Sequence, residues 1–157
     1  MGKLKVVVEP GKQEVKMTRV FDAPRELVFR AHTDPKAIPR WWGQRNSKTT
    51  VDKMEVRDGG RWRFVERGSD GQAHGFHGVY HAIVAPERIV QTFEFEGVPG
   101  HVLLETLDFE ERGGVTTLTS QSVYQSVEDR DGMVQSGMED GANESMDRLE
   151  ELLAGQR

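Results

Sequence analysis

Apolar and polar residues alternate with a period of two along much of this chain. Ile89, Gln91, Phe93 and Phe95 fall on one side of a run whose other side carries Thr92, Glu94 and Glu96, the pattern of a strand with one covered and one wet face. Trp62 and Phe64 fall together in the same way, as do Leu103, Leu107 and Phe109. Runs rich in Val, Thr, Ile and aromatics predict strands over residues 3–9, 12–21, 49–57, 61–67, 74–84, 88–96, 101–111 and 115–124. Turn signals such as Asp58-Gly59-Gly60, Ser69-Asp70-Gly71 and Arg112-Gly113-Gly114 separate them. The short connections between the later neighbours require antiparallel pairing, because a parallel pair needs a long crossover.

Two short helices are predicted after Phe21. Asp22 stands just before Ala23-Pro24, and Asp34 before Pro35, both of them helix-start signals. The second leads into the doublet Trp41-Trp42, and Pro39 is expected to shorten it and leave a loosely held lid. Toward the C-terminus, Ser126 with Asp129 three residues on resembles a capping box opening a helix to about Gln135. From Met138 the apolar positions Met138, Ala142, Met146, Leu149, Leu152 and Leu153 recur mainly by threes and fours, and Gly155 marks the end. Gly137 is expected to break the helix, and Gly141 to leave space against the sheet. The pattern predicts one α+β domain over residues 1–157: a curved antiparallel sheet wrapped around a long C-terminal helix, the helix-grip architecture.

Composition narrows the function classes. With 157 residues the chain can bury a core without staples, and with no cysteine it has neither disulfides nor thiolate sites. The formal net charge of −5 and the scattering of basic among acidic residues argue against nucleic acid. The apolar run Val6–Val8 is too short for a signal peptide or a span, and Val6 stands where an acylation signal after Met1-Gly2 needs Ser or Thr. A cytoplasmic protein without membrane insertion is expected.

Candidate chemistry is sparse. His-Glu-x-x-His, Gly-x-Ser-x-Gly, Gly-x-Gly-x-x-Gly and phosphate-loop strings do not occur. His74 and His77 lie three apart, a spacing that turns them to opposite strand faces, so neither a metal nor a cofactor is expected. Glu105 shares its predicted face with Leu103 and Leu107. It is either a cavity carboxyl of raised pKa or a residue turned out by a bulge or paired with an arginine. Parity puts Phe76 and Tyr80 inward and His77, Val79, His81 and Ile83 outward, although a slip of one residue reverses the assignment. Gln91 and Glu105, with Ser120 or Ser122, are candidates for a polar set inside an aromatic pocket. Of the tryptophan doublet, one ring is expected to anchor the helices and the other to face the cavity mouth.

The segments Arg19–Phe29, Trp41-Trp42-Gly43, Gly59-Gly60-Arg61-Trp62, Phe76–Thr92 and Ser136–Leu149 together resemble one branch of the START and birch-pollen-allergen (Bet v 1-like, SRPBCC) superfamily. That branch is named after the activator of the Hsp90 chaperone's ATPase. The resemblance runs in order from about Gly11 to Leu153 and implies the helix-grip fold. In the eukaryotic co-chaperone the corresponding domain follows a separate chaperone-engaging domain, for which there is no room before Lys12. The departure points away from Hsp90 and toward a stand-alone small-molecule module. The superfamily also hosts lipid carriers, allergens and aromatic cyclases, so fold alone does not choose among them.

The leading expectation is a non-enzymatic binder or carrier of a small apolar or aromatic molecule, in a stress-related setting. Its cavity would be lined by Trp42, Phe64, Phe76, Tyr80, Gln91, Phe93, Glu105, Leu107, Met138 and Met146. The alternative is an enzyme resembling polyketide cyclases and aromatases, in which Glu105 or His77 moves a proton. A third reading is a chaperone-linked or homodimeric interaction module presenting an exposed Trp41-Trp42 surface.

Overall fold

The computed structural model describes residues 3–156, so Met1-Gly2 of the acylation reading lies outside the described residues. The alternating runs form strands β1 (Lys5–Val7), β2 (Glu14–Phe21), β3 (Lys48–Met54), β4 (Arg61–Arg67), β5 (Ala73–Val84), β6 (Arg88–Phe95), β7 (Val102–Arg112) and β8 (Val115–Val123). They make one antiparallel sheet in the order β1-β2-β8-β7-β6-β5-β4-β3. Strands β3 to β8 meander, each beside its sequence neighbour, and β2 returns against β8. Because side chains alternate across a pleat, each strand sends one parity inward: Val15 and Phe21, Trp62 and Phe64, Leu103 and Phe109 are all buried.

One parity assignment is corrected. The register of β5 against β6 shifts between Tyr80 and Ala82, so that Ile83 pairs with Ile89 and packs on the core. The extra residue of this bulge returns Ile83 to the face of Phe76 and Tyr80 instead of that of His77.

The helices are α1 (Arg25–Thr33), α2 (Ile38–Trp41), α3 (Val127–Gln135) and α4 (Met138–Ala154). Pro24, not Asp22, holds the N-cap position of α1, in an extended conformation that suits a proline. At α3 the expected cap forms: the Asp129 amide donates to Ser126 Oγ at 3.0 Å. Gly137, at φ +89°, separates α3 from α4 in a left-handed turn that favours glycine. Leu149, Leu152 and Leu153 of α4 join Phe21, Val28 and Phe109 in the principal core. Burying each leucine contributes about 2 kcal/mol, and this holds α4 against the concave face of the sheet.

The loosely held lid is also corrected. Arg148 of α4 donates to the carbonyls of Arg40 (3.1 Å), Gly43 (2.9 Å) and Gln44 (3.2 Å). Carbonyl groups that the short α2 leaves open are therefore satisfied by a guanidinium more than one hundred residues away.

Candidate functional site

Between α4 and the sheet lies a cavity of about 440 Å³, within the size range of small-molecule sites. Its aromatic wall comes from three strands and the end of α2. The Trp42 ring meets Phe64 and Phe76 edge-on, each at 5.2 Å between centroids, and Phe76 lies 5.6 Å from Phe93. Trp42 is placed there by its neighbour: the Gly43 amide donates to Ser145 Oγ at 3.0 Å, and the Ser145 hydroxyl lies 3.1 Å from the Gly43 carbonyl. Leu107 lines the floor, and Met138 and Met146 line the helix side.

Cross-strand register places a polar row across this apolar space. Tyr80 pairs with Gln91, Gln91 with Glu105 and Glu105 with Ser122, so the four side chains line up across β5, β6, β7 and β8. All four residues line the cavity, as does Ser120. Gln91 Nε2 donates to Glu105 Oε1 at 3.0 Å. Burial raises the pKa of Glu105, and the bond from Gln91 opposes part of that rise. Among the described residues no cation pairs with Glu105; neither the bulge nor the arginine pair weighed from the sequence occurs. Burial also raises the phenol pKa values of Tyr80 and Tyr124, and at Tyr124 the Glu105 charge adds to the effect.

The ten side chains expected to line the cavity all do so. His77 does not reach it, a correction to its catalytic candidacy. It projects from the opposite face, with Nδ1 2.8 Å from Glu96 Oε2 and Nε2 3.4 Å from Glu94 Oε1. Arg63 forks onto the same Glu96 at 2.8 Å through two nitrogens. The Arg63 guanidinium, with help from His77, holds the Glu96 carboxyl down to about 2. Trp41 is 3% exposed and donates through Nε1 to the Ala31 carbonyl at 2.9 Å, so it is no part of an exposed surface, while Trp42 is half-buried at the cavity.

Among the lining residues not foreseen in the sequence are Arg19, His32, Trp62 and Tyr124. Arg19 is 2% exposed and directs Nη1 to Asp147 Oδ1 at 2.9 Å and Nη2 to Glu150 Oε2 at 3.5 Å. Its position between Met17 and Phe21 on an alternating strand carried the signal, but the carboxylates that permit its burial lie on α4. His32 Nδ1 lies 2.8 Å from the Val28 carbonyl, and burial lowers its pKa to about 4. Among the described residues no group of three or more His, Asp or Glu is placed to hold a metal, and no helix is long and apolar enough to cross a membrane.

The family model for "Activator of Hsp90 ATPase homolog 1-like protein" matches residues 22–154, most of the chain. The chain belongs to this family. No curated protein matches the sequence significantly. Solved structures of bacterial proteins do resemble this family member. One from Rhodobacter sphaeroides is 26% identical, with 98% of this chain and 99% of that one covered and a TM-score of 0.90. A second, from Arthrobacter aurescens, is 25% identical over 96% and 91% of the two chains, with a TM-score of 0.89. Protein Ms6760 of Mycobacterium smegmatis, at 23% identity with 97% of each chain covered and a TM-score of 0.88, shares the fold. The helix-grip fold of the activator of Hsp90 ATPase homolog 1-like family is consistent with ligand binding in general.

Proposed function

We propose that this protein binds and carries a small, largely apolar molecule between α4 and the concave sheet. The observation that carries this reading is the cavity of about 440 Å³, walled by Trp42, Phe64, Phe76 and Phe93 and crossed by one polar row. A preformed space of that kind gains by exchanging water for apolar ligand surface, while a few polar groups fix orientation. Ala142 on α4 lines the space, so Ala142→Phe fills part of it without disturbing the core leucines. In fluorescent-ligand displacement with naphthalene derivatives, Ala142→Phe is expected to weaken binding about tenfold or more while thermal stability holds. Equal binding by both proteins places the ligand elsewhere and overturns the reading.

The inward carboxyl of Glu105, bonded to Gln91 but paired with no cation among the described residues, favours a second reading, an enzyme that moves a proton in the cavity. Exchange of the activated C–H protons of 2-tetralone in heavy water, followed by NMR, tests it. Exchange that exceeds the buffer rate and is lost in Glu105→Gln supports catalysis; exchange at the buffer rate in the unmodified protein removes it. With Trp41 buried, no observation favours a chaperone-linked or homodimeric module.

A further inference from the structure

Among the described residues that line the cavity, Arg19 is the one permanent cation, beside two acids, Glu66 and Glu105. His32 adds no charge near neutral pH, because burial lowers its pKa to about 4. Arg19 is 2% exposed, and its charge is already matched: Nη1 lies 2.9 Å from Asp147 Oδ1 and Nη2 3.5 Å from Glu150 Oε2. Its third nitrogen, Nε, is buried without a partner and closed to a water-sized group. Of the acids, Glu66 accepts from the Gln44 amide at 2.9 Å and the Ser47 hydroxyl at 2.6 Å, and Glu105 accepts from Gln91 at 3.0 Å. None of these donors carries a charge. Among its described residues the cavity wall therefore holds no cation free to receive an anion.

We infer that the cavity excludes carboxylates, fatty acids and aromatic acids among them, and takes molecules without an anionic group. Glu105 and the Arg19–Asp147–Glu150 cluster are the residues that set this preference, which rests on the carrier reading above and adds the charge class of the ligand. A buried carboxylate is stable only where a cation or several donors replace its lost hydration. Beside Glu105, a ligand carboxylate would put two acids in one largely apolar space, where they can share no more than one negative charge. To reach Arg19 it would have to displace Asp147 or Glu150, carboxylates that α4 tethers in place and that therefore outcompete a free one. A neutral oxygen group meets neither obstacle, whether ketone, amide, ester or hydroxyl, because Gln91, Ser120 and Ser122 on the cavity wall offer it uncharged partners.

Three probes of nearly one shape decide the matter near neutral pH, where the first is ionised: 2-naphthoate, 2-acetylnaphthalene and 2-naphthamide. Both neutral probes are expected to bind more tightly than 2-naphthoate by a factor of about ten or more. Glu105→Gln removes the acid and keeps its shape, and should narrow the gap between 2-naphthoate and the ketone about fivefold. Asp147→Asn/Glu150→Gln leaves Arg19 unmatched and should narrow it further, with 2-naphthoate raising the melting temperature of that variant more than 2-acetylnaphthalene does. If the double variant does not fold, Glu105→Gln decides alone. If 2-naphthoate binds the unmodified protein as tightly as the neutral probes, or if the gap is the same in every folded variant, the inference is overturned while the carrier reading stands. Failure of all three probes to bind overturns the carrier reading itself.

Discussion

Gln91 and Glu105 are register partners on adjacent strands, and the amide of the first donates to the carboxyl of the second at 3.0 Å inside an otherwise largely apolar cavity. Placing an acid there costs stability when it ionises, and the amide recovers part of that cost. The energetics of the site therefore depend on pH.

Glu105 has its pKa raised by burial above the ordinary 4.5. Between those two values the folded protein holds a proton that the unfolded chain has lost, so stability falls as pH rises through that window. Glu105→Gln should flatten this loss. Urea unfolding at about pH 5 and about pH 8 should show a smaller difference for the variant than for the unmodified protein. An equal difference assigns the slope to other groups.

His32 acts on the other side. Its pKa is lowered from 6.5 to about 4 by burial, against the opposing bond to Val28. The unfolded chain takes up a proton that the folded protein refuses, so stability is lost as pH falls from 6.5 toward 4. The full effect amounts to about 3 kcal/mol as an upper bound, because the ring is partly accessible at the cavity wall. NMR titration of the folded protein should place the imidazole midpoint well below the ordinary histidine value, and a midpoint near 6.5 refutes the assignment.

Arg19 is buried while its partners Asp147 and Glu150 are partly exposed. The double variant Asp147→Asn/Glu150→Gln strands a buried guanidinium and should cost about 3 kcal/mol, whereas Arg19→Met removes the charge itself and should cost less. Denaturant midpoints of the two variants give the order; the reverse order would show that Arg19 stabilises through its own contacts.

Two glycines should respond in opposite ways to alanine. At Gly78 a Cβ would stand 1.9 Å from the Thr92 carbonyl oxygen, a backbone atom, so Gly78→Ala should destabilise by about 2 kcal/mol or more. At Gly141 it would meet only Gln44 Nε2 at 3.9 Å, so Gly141→Ala should stabilise α4 by up to about 1 kcal/mol. Thermal unfolding of both variants checks the pair.

Much of the site was legible before any fold was known. Gln91, Phe93, Glu105 and Leu107 follow from strand alternation, because a period of two assigns a face without knowledge of the partner strand. Met138 and Met146 follow in the same way from the helical period. His77 and Phe76 are adjacent, so alternation separated them, but which of the two faced inward needed the sheet. Ile83 was misassigned because the bulge after Tyr80 leaves no distinct mark in composition.

Local period and backbone preference set the strands, the helix break at Gly137 and most of the inward apolar side chains, and these could be read from the sequence alone. It took the packing of distant elements to place Tyr80, Gln91, Glu105 and Ser122 in one row, to clamp the end of α2 with Arg148 and to bury Arg19 beneath Asp147 and Glu150. Each of these joins different elements, some more than one hundred residues apart. Such contacts are set by register and by the seating of α4 on the curved sheet, which no local pattern encodes.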